Sequence, residues 1–219
     1  MNMGMEQLAE QMIGGRTEEC WDSLVEQVES GRNSLYIYEQ WLAPAIRYVG
    51  SLWEQNLITV ADEHLASGVC DILMTRYAAL VKPEQPNGKR GMFLCVEEEA
   101  HYFGLKMVSA LFEERGFAAR FYGPNLPLKD ALLGAMHWKP DVIGLSVSIV
   151  YHLPKLKQYV NALGSLPGSP AVIIGGRVIE PYGIDRGLAD QAVFVPTLLE
   201  LNDWIDSYLF ADANQQIVR

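Results

Sequence analysis

No apolar run in this 219-residue chain approaches the ~20 residues needed to cross a bilayer, and Met1-Asn2-Met3-Gly4-Met5-Glu6 lacks the basic start and apolar block of a secretion signal. Neither secretion nor membrane insertion is expected, and the expected compartment is the cytoplasm. Cysteine is scarce as well. The three present, Cys20, Cys70 and Cys95, are odd in number, show no C-x-x-C spacing and sit inside apolar-periodic segments. That pattern argues against a disulfide framework or a thiolate metal site and reads as three buried small hydrophobes. Positive charge is in short supply throughout: residues 1–90 hold 7 basic against 13 acidic side chains and residues 91–219 hold 10 against 14, for a net charge of −10. Duplex binding rests on clustered Lys and Arg neutralising phosphates, so no direct DNA binding is expected, and the partners should be small molecules or proteins. Internal repeats and low-complexity segments are missing too.

What is present suffices for a folded core. Hydrophobic residues make up 49% and charged residues 20% of the chain, outside the range of disordered or fibrous sequences, and the length suits two domains. Trp21, Leu24, Val25 and Val28 recur at helical spacing. Ile37, Trp41, Leu42, Ala45, Ile46 and Val49 do the same, with Gly31 and Asn33 between the two runs. Asn56 is placed to end a helix in the left-handed conformation, and Thr59 or Asp62 to cap the next, which carries Glu63, His64, Leu65, Val69, Ile72, Leu73 and Tyr77. Short turns between helices predict a small antiparallel bundle over residues 1–82.

The polar stretch 83–90, with Pro83, Pro86 and an Asn87-Gly88 pair, reads as a linker. Beyond it, over 91–219, short apolar runs alternate with amphipathic helices: Met92–Val96, Ala119–Tyr122, Val142–Val147, Ala171–Ile174 and Ala192–Val195 are the expected strands. This is the pattern of a doubly wound, five-stranded parallel α/β (Rossmann-like) sheet, whose ligands bind beyond the carboxyl ends of the strands.

Three features fall at that edge. Glu99, His101 and Gly104 form E-x-H-x-x-G between the first strand and its helix; Ser146 and Ser148 end the third strand; Gly175 and Gly176 end the fourth. A neutral imidazole ligates a transition metal well, and a carboxylate two residues away can hold its other nitrogen and fix the tautomer. Paired glycines let a bulky group approach the backbone, although a tight turn accounts for them equally well. Tyr102 and Phe103 either flank a ligand or close the first helix onto the sheet. His152, close after the third strand, lies near the expected ligand edge but reads rather as a polar loop histidine, His137 as a cation at a helix end, and Met107 and Met136 as core.

Taken together, E-x-H-x-x-G, S-x-S and G-G in this order resemble the cobalamin-binding family of methionine synthase and its relatives, over about residues 92–209. Glu99 stands where that family has Asp. The resemblance implies that His101 ligates cobalt from below in place of the cofactor's own dimethylbenzimidazole, that Glu99 partners it, and that the displaced nucleotide passes Ser146, Ser148, Gly175 and Gly176.

In the helical half, Trp53 followed after nine residues by Glu63-His64 resembles the W-x9-E-H mark of cobalamin photoreceptors of the CarH and LitR kind, with Asn56 where they have Gly. On residues alone, Trp53 could be core and Glu63-His64 an exposed helical pair. The resemblance implies that Trp53, Glu63 and His64 lie over the upper face of adenosylcobalamin, and that His64 can move onto cobalt after light breaks the cobalt–carbon bond.

It also implies a stand-alone form, without the MerR-type DNA-binding domain, that signals through a regulatory protein partner or its own homo-oligomer. The stand-alone photocobilins add a bilin, for which this sequence holds no separate mark. The leading expectation is thus a light sensor, with a corrinoid carrier of a methyltransferase system and a dark cobalamin-responsive regulator as alternatives. None of these makes the chain an enzyme by itself.

Overall fold

The computed structural model describes residues 4–176 and 191–217, and the chain divides between Lys82 and Pro83 into a helical unit and an α/β unit. In the helical unit α1 (Met5–Ile13) packs on α3 (Ala43–Glu54) and α4 (Val60–Leu80), and α2 (Thr17–Glu29) packs on α1 and α4. Asn33 starts the third helical run by accepting the Tyr36 N–H on its side chain at 3.0 Å. That run is π-helical over Tyr36–Leu42, directly before Pro44, which has no N–H to give and crowds the preceding turn, so the widened backbone absorbs the mismatch. Asn56 adopts φ 57°, and the Asn56 and Leu57 N–H groups bond back to Trp53 and Leu52, ending α3 as a Schellman turn. Thr59 and Asp62 then form a reciprocal capping box at the start of α4.

The buried side of α2 is displaced from the one its apolar spacing predicts. Cys20, Ser23, Leu24 and Gln27 face the core while Trp21, Val25 and Val28 are half-buried. Burial of Ser23 is tolerated because its hydroxyl donates to the Glu19 carbonyl at 2.9 Å.

The sheet of the α/β unit comprises β1 (Arg90–Cys95), β2 (Ala118–Gly123), β3 (Val142–Ser146), β4 (Ala171–Gly175) and β5 (Val193–Phe194), in the order β2-β1-β3-β4-β5, with all pairs parallel. Its helices are α5 (Phe103–Glu114), α6 (Leu128–Trp138), α7 (Leu153–Gly164) and α8 (Leu198–Ile217). One face buries Met92, Leu94, Ile143 and Leu145 against Ala131 and Ala135 of α6 and Leu156 and Val160 of α7. The other face presents Phe93, whose ring packs on Phe112 of α5 at 4.9 Å; Gly144 makes room for it, since a Cβ there would come within 2.5 Å of that ring.

Expectations for β2 and Met136 need correction. β2 is an edge strand, and Phe121 on it is exposed, so it is not apolar-buried like β1 and β3. Met136 is 48% exposed, because α6 approaches the sheet on the small residues Ala131 and Ala135 and turns Met136 outward; Met107 is buried as expected. The stretch 83–90 runs along the α/β unit rather than free of it: the Glu84 and Asn87 N–H groups bond to the Glu114 and Gly116 carbonyls, and Arg90 opens β1. Among the described residues, no helix is long and apolar enough to cross a membrane.

Candidate functional site

β1 lies between β2 and β3, so the chain leaves β1 toward one side of the sheet and returns to build β3 on the other. Loops after two such strands diverge and open a crevice at their carboxyl ends. The residues that follow β1 and β3 meet there.

The β1–α5 loop is tightly held. Glu98, at φ 70°, donates its N–H to the Asn125 side chain at 2.8 Å, and the Asn125 N–H returns to the Glu99 carbonyl at 3.0 Å. Beneath, the buried Tyr159 hydroxyl donates to the Leu126 carbonyl at 2.5 Å and accepts the Glu97 N–H at 3.2 Å. These bonds aim the Glu99 side chain inward, where it is completely buried.

Its carboxylate gathers five donors. Oε1 accepts the His101 N–H at 3.0 Å and the His101 ring Nδ1 at 2.6 Å. Oε2 accepts the Ser148 and Ile149 N–H groups at 2.7 and 3.3 Å and lies 3.3 Å from His152 Nδ1. Burial pushes the Glu99 carboxyl up, but the bonds from His101, Ser148 and His152 outweigh it and hold it down at about 2. An ionised carboxylate only accepts, so His101 Nδ1 carries a proton, and in the neutral imidazole the lone pair is then on Nε2. The His101 side chain is 48% exposed, open to a ligand. One carboxylate thus bonds both the β1 and the β3 loops.

Glu99 therefore links stability to pH. Its folded value lies below its ordinary 4.5, so its contribution is present in full above about pH 4.5 and is lost as pH falls toward about 2. At ~1.4 kcal/mol per unit this is roughly 3 kcal/mol at neutral pH. Urea unfolding at pH 7 and pH 3 should show this slope in the parent protein and a shallower one in Glu99→Gln; equal slopes would count against a charged Glu99.

Ser146 is buried at the end of β3, paired between Cys95 and Gly175, and Ser148 binds Glu99 through its main chain. The two glycines differ. A Cβ at Gly175 would make only ordinary contact, 3.7 Å from the Val195 carbonyl, whereas one at Gly176, which sits at φ 135°, would fall 1.7 Å from the Val147 carbonyl oxygen. Gly176 is thus required by the close approach of the β3 and β4 ends, and the segment 177–190 lies outside the described residues. Gly104, in the first turn of α5, is exposed, and a Cβ there would meet nothing within 4 Å, so the surface beside His101 is flat by choice of residue rather than by packing need.

Tyr102 and Phe103 are half-buried with ring centroids 4.7 Å apart, and Phe121 lies 6.2 Å from Tyr102, forming an aromatic shelf next to His101. Cys95 stays a thiol, since burial and then the Glu99 charge push it up to about 12. All three cysteines are buried, and none is in a disulfide.

His152 corrects its sequence reading. It is buried rather than a solvated loop histidine, and it shares Glu99 with His101 across 53 positions of sequence. Its place near the ligand edge is legible in the chain, but its contact with Glu99 comes only from the proximity of the β1 and β3 loops. His137 lies in the last turn of α6 as expected.

In the helical unit, Trp53 stands on the last turn of α3 and is 46% exposed, so it is not core. Glu63 and His64 lie at the start of α4, across the turn 55–59. The His64 side chain is 75% exposed and 3.9 Å from Glu63, which accepts the Ser67 hydroxyl at 2.8 Å.

The donor set fits a metal macrocycle ligated from one side: a single exposed imidazole with its tautomer fixed, at a sheet edge kept bare by glycine. A B12 binding domain model matches residues 89–195, and a second model of that description matches residues 5–77. The chain is 29% identical over 156 residues to the HTH-type transcriptional repressor CarH of Myxococcus xanthus, covering 70% of this chain but 51% of that protein, about half its length. It is 26% identical over 199 residues to dimethylamine corrinoid protein 1 of Methanosarcina acetivorans, covering 86% of this chain and 92% of that one. The fold matches the structure of the Methanosarcina barkeri monomethylamine corrinoid protein at TM-score 0.67 and 16% identity, over 90% of this chain and 93% of that one.

Proposed function

We propose, for a chain whose two units each match a B12 binding domain model, that it is a cobalamin-dependent light sensor. In this reading His101 would be the chain's ligand to cobalt, and Trp53, Glu63 and His64 would contact adenosylcobalamin from the helical unit. When bound, the cofactor supplies a cobalt–carbon bond that light can break. The chain's own residues do the rest. Glu99 fixes the His101 tautomer, while Ser146, Ser148, Gly175 and Gly176 border the path of the displaced nucleotide. Trp53 would shield the bound cofactor from solvent, and His64 would supply a second imidazole able to hold cobalt. Output then passes to a regulatory protein or a second copy of the chain.

The observation that carries this reading is the exposure of Trp53 and His64 on the two sides of one short turn, at 46% and 75%. A large aromatic left bare at the end of one helix and an imidazole left bare at the start of the next suit contact with a flat ring rather than packing within the helical unit. A second reading, a corrinoid carrier for a methyl group, is favoured by the near end-to-end match to the dimethylamine corrinoid protein, against half-length coverage of CarH.

Absorption spectra separate them. Protein reconstituted with adenosylcobalamin in the dark is expected to convert under green light to a second, stable spectrum. His64→Ala should still bind the cofactor and respond to light but finish at a different end spectrum. A light product that does not depend on His64, or no response to light, defeats the sensor and favours the carrier. Absorption beyond that of cobalamin would report a bilin.

A further inference from the structure

Glu99 holds two imidazoles. His101 takes Oε1 from the β1 loop, and His152, at the junction of the turn Val150–His152 with α7, approaches Oε2 from the β3 side with Nδ1 at 3.3 Å. Because the carboxylate can only accept, both rings present Nδ1–H to it, and in the neutral form of each ring the lone pair is then on Nε2. The remaining bonds to Oε2 come from the Ser148 and Ile149 main chain. His152 is therefore the side chain that closes the carboxylate against the β3 loop, and it is buried, with its side chain only 10% exposed.

We propose that His152 is a positioning residue for the cobalt ligand: by donating to Oε2 it fixes the rotation of the Glu99 carboxylate, and so holds His101 in the single tautomer and orientation that presents Nε2 to the crevice. The inference rests on the reading of His101 as the lower ligand, and it extends that ligand's support to a residue 51 positions downstream, outside the E-x-H-x-x-G, S-x-S and G-G pattern. Two histidines and one carboxylate form a closed unit. The carboxylate cannot turn to follow one ring without breaking from the other, so the His101 ring is locked before any ligand arrives. Partners behind a metal-bound histidine typically change metal affinity 10–100-fold when removed, even though they never touch the metal.

Three substitutions separate donation from packing. His152→Leu fills the buried space without a donor, His152→Asn returns an N–H close to the place of Nδ1, and His101→Ala marks complete loss of the ligand. The first measurement uses cofactor-free protein, with imidazole 15N shifts by NMR reporting the tautomer of each ring. The parent should show His101 and His152 both as Nδ1–H. His152→Leu should release His101 into a mixture with the Nε2–H form, and His152→Asn should restore the parent state.

The second measurement adds cobalamin. His152→Leu should bind roughly tenfold more weakly and show a partly base-off spectrum, between the parent and His101→Ala, with His152→Asn near the parent. A parent His152 in the Nε2–H form overturns the proposal. So does a His152→Leu protein with the parent's His101 tautomer and spectrum, or a His152→Asn protein as impaired as His152→Leu. If His101→Ala leaves the cobalamin spectrum unchanged, the lower-ligand reading fails instead, and the cofactor-free tautomers still decide whether His152 positions His101.

Discussion

Gly176→Ala is expected to cost the α/β unit several kcal/mol of stability, while Gly175→Ala, one residue earlier, should cost less than about 1 kcal/mol. The difference is geometric. At Gly176 the added carbon would overlap the Val147 carbonyl at 1.7 Å, an atom of the main chain that cannot swing aside, and φ 135° is a backbone region that side chains rarely enter. Relief requires parting the ends of β3 and β4, which are joined just before by the Val147 N–H to the Gly175 carbonyl at 3.2 Å. At Gly175 the new contact is an ordinary 3.7 Å. Urea unfolding of the two variants side by side checks this. Equal midpoints would show that the close approach is not maintained in solution. Because Val147 lies next to Ser148, which holds Glu99, the Gly176 variant should also bind cobalamin poorly under conditions where it remains folded.

His101→Ala should have the opposite profile. Its side chain is half exposed, and its loss removes one side-chain hydrogen bond from Glu99 while the Ser148, Ile149 and His152 donors remain, so the unfolding midpoint should move by no more than about 1 kcal/mol. Cobalamin affinity should fall by at least the roughly 10–100-fold that loss of a mere supporting partner brings, and the bound spectrum should become base-off. A variant that keeps the parent's affinity and spectrum would show that cobalt is held by another group.

The edge loop at His101 was legible because its parts are close in sequence: an apolar strand, a carboxylate two residues before an imidazole, and a glycine at the head of the next helix. The Asn56 turn and the Thr59 cap were legible for the same reason, since helix ends are written in residues two to five apart. The buried face of α2 was misread because Ser23 satisfies its hydroxyl within its own helix and so can be buried where a polar residue is unexpected. Met136 was misread because periodicity marks a helix face but not how closely small residues let that helix approach its sheet.

The order of apolar runs and amphipathic helices determined an α/β sheet preceded by helices, and local spacing determined which loop carries the candidate ligand. Neither could reveal that β1 pairs with β3, and from that pairing comes the rest of the site. It brings Ser148, Ile149 and His152 onto the Glu99 carboxylate, it lowers that carboxyl to about 2, and it sets Gly176 apart from Gly175 through contact with Val147. Local backbone preference and side-chain periodicity act over a few residues and are legible in the chain. Hydrogen bonds across 50 positions exist only once strand order has placed two loops side by side.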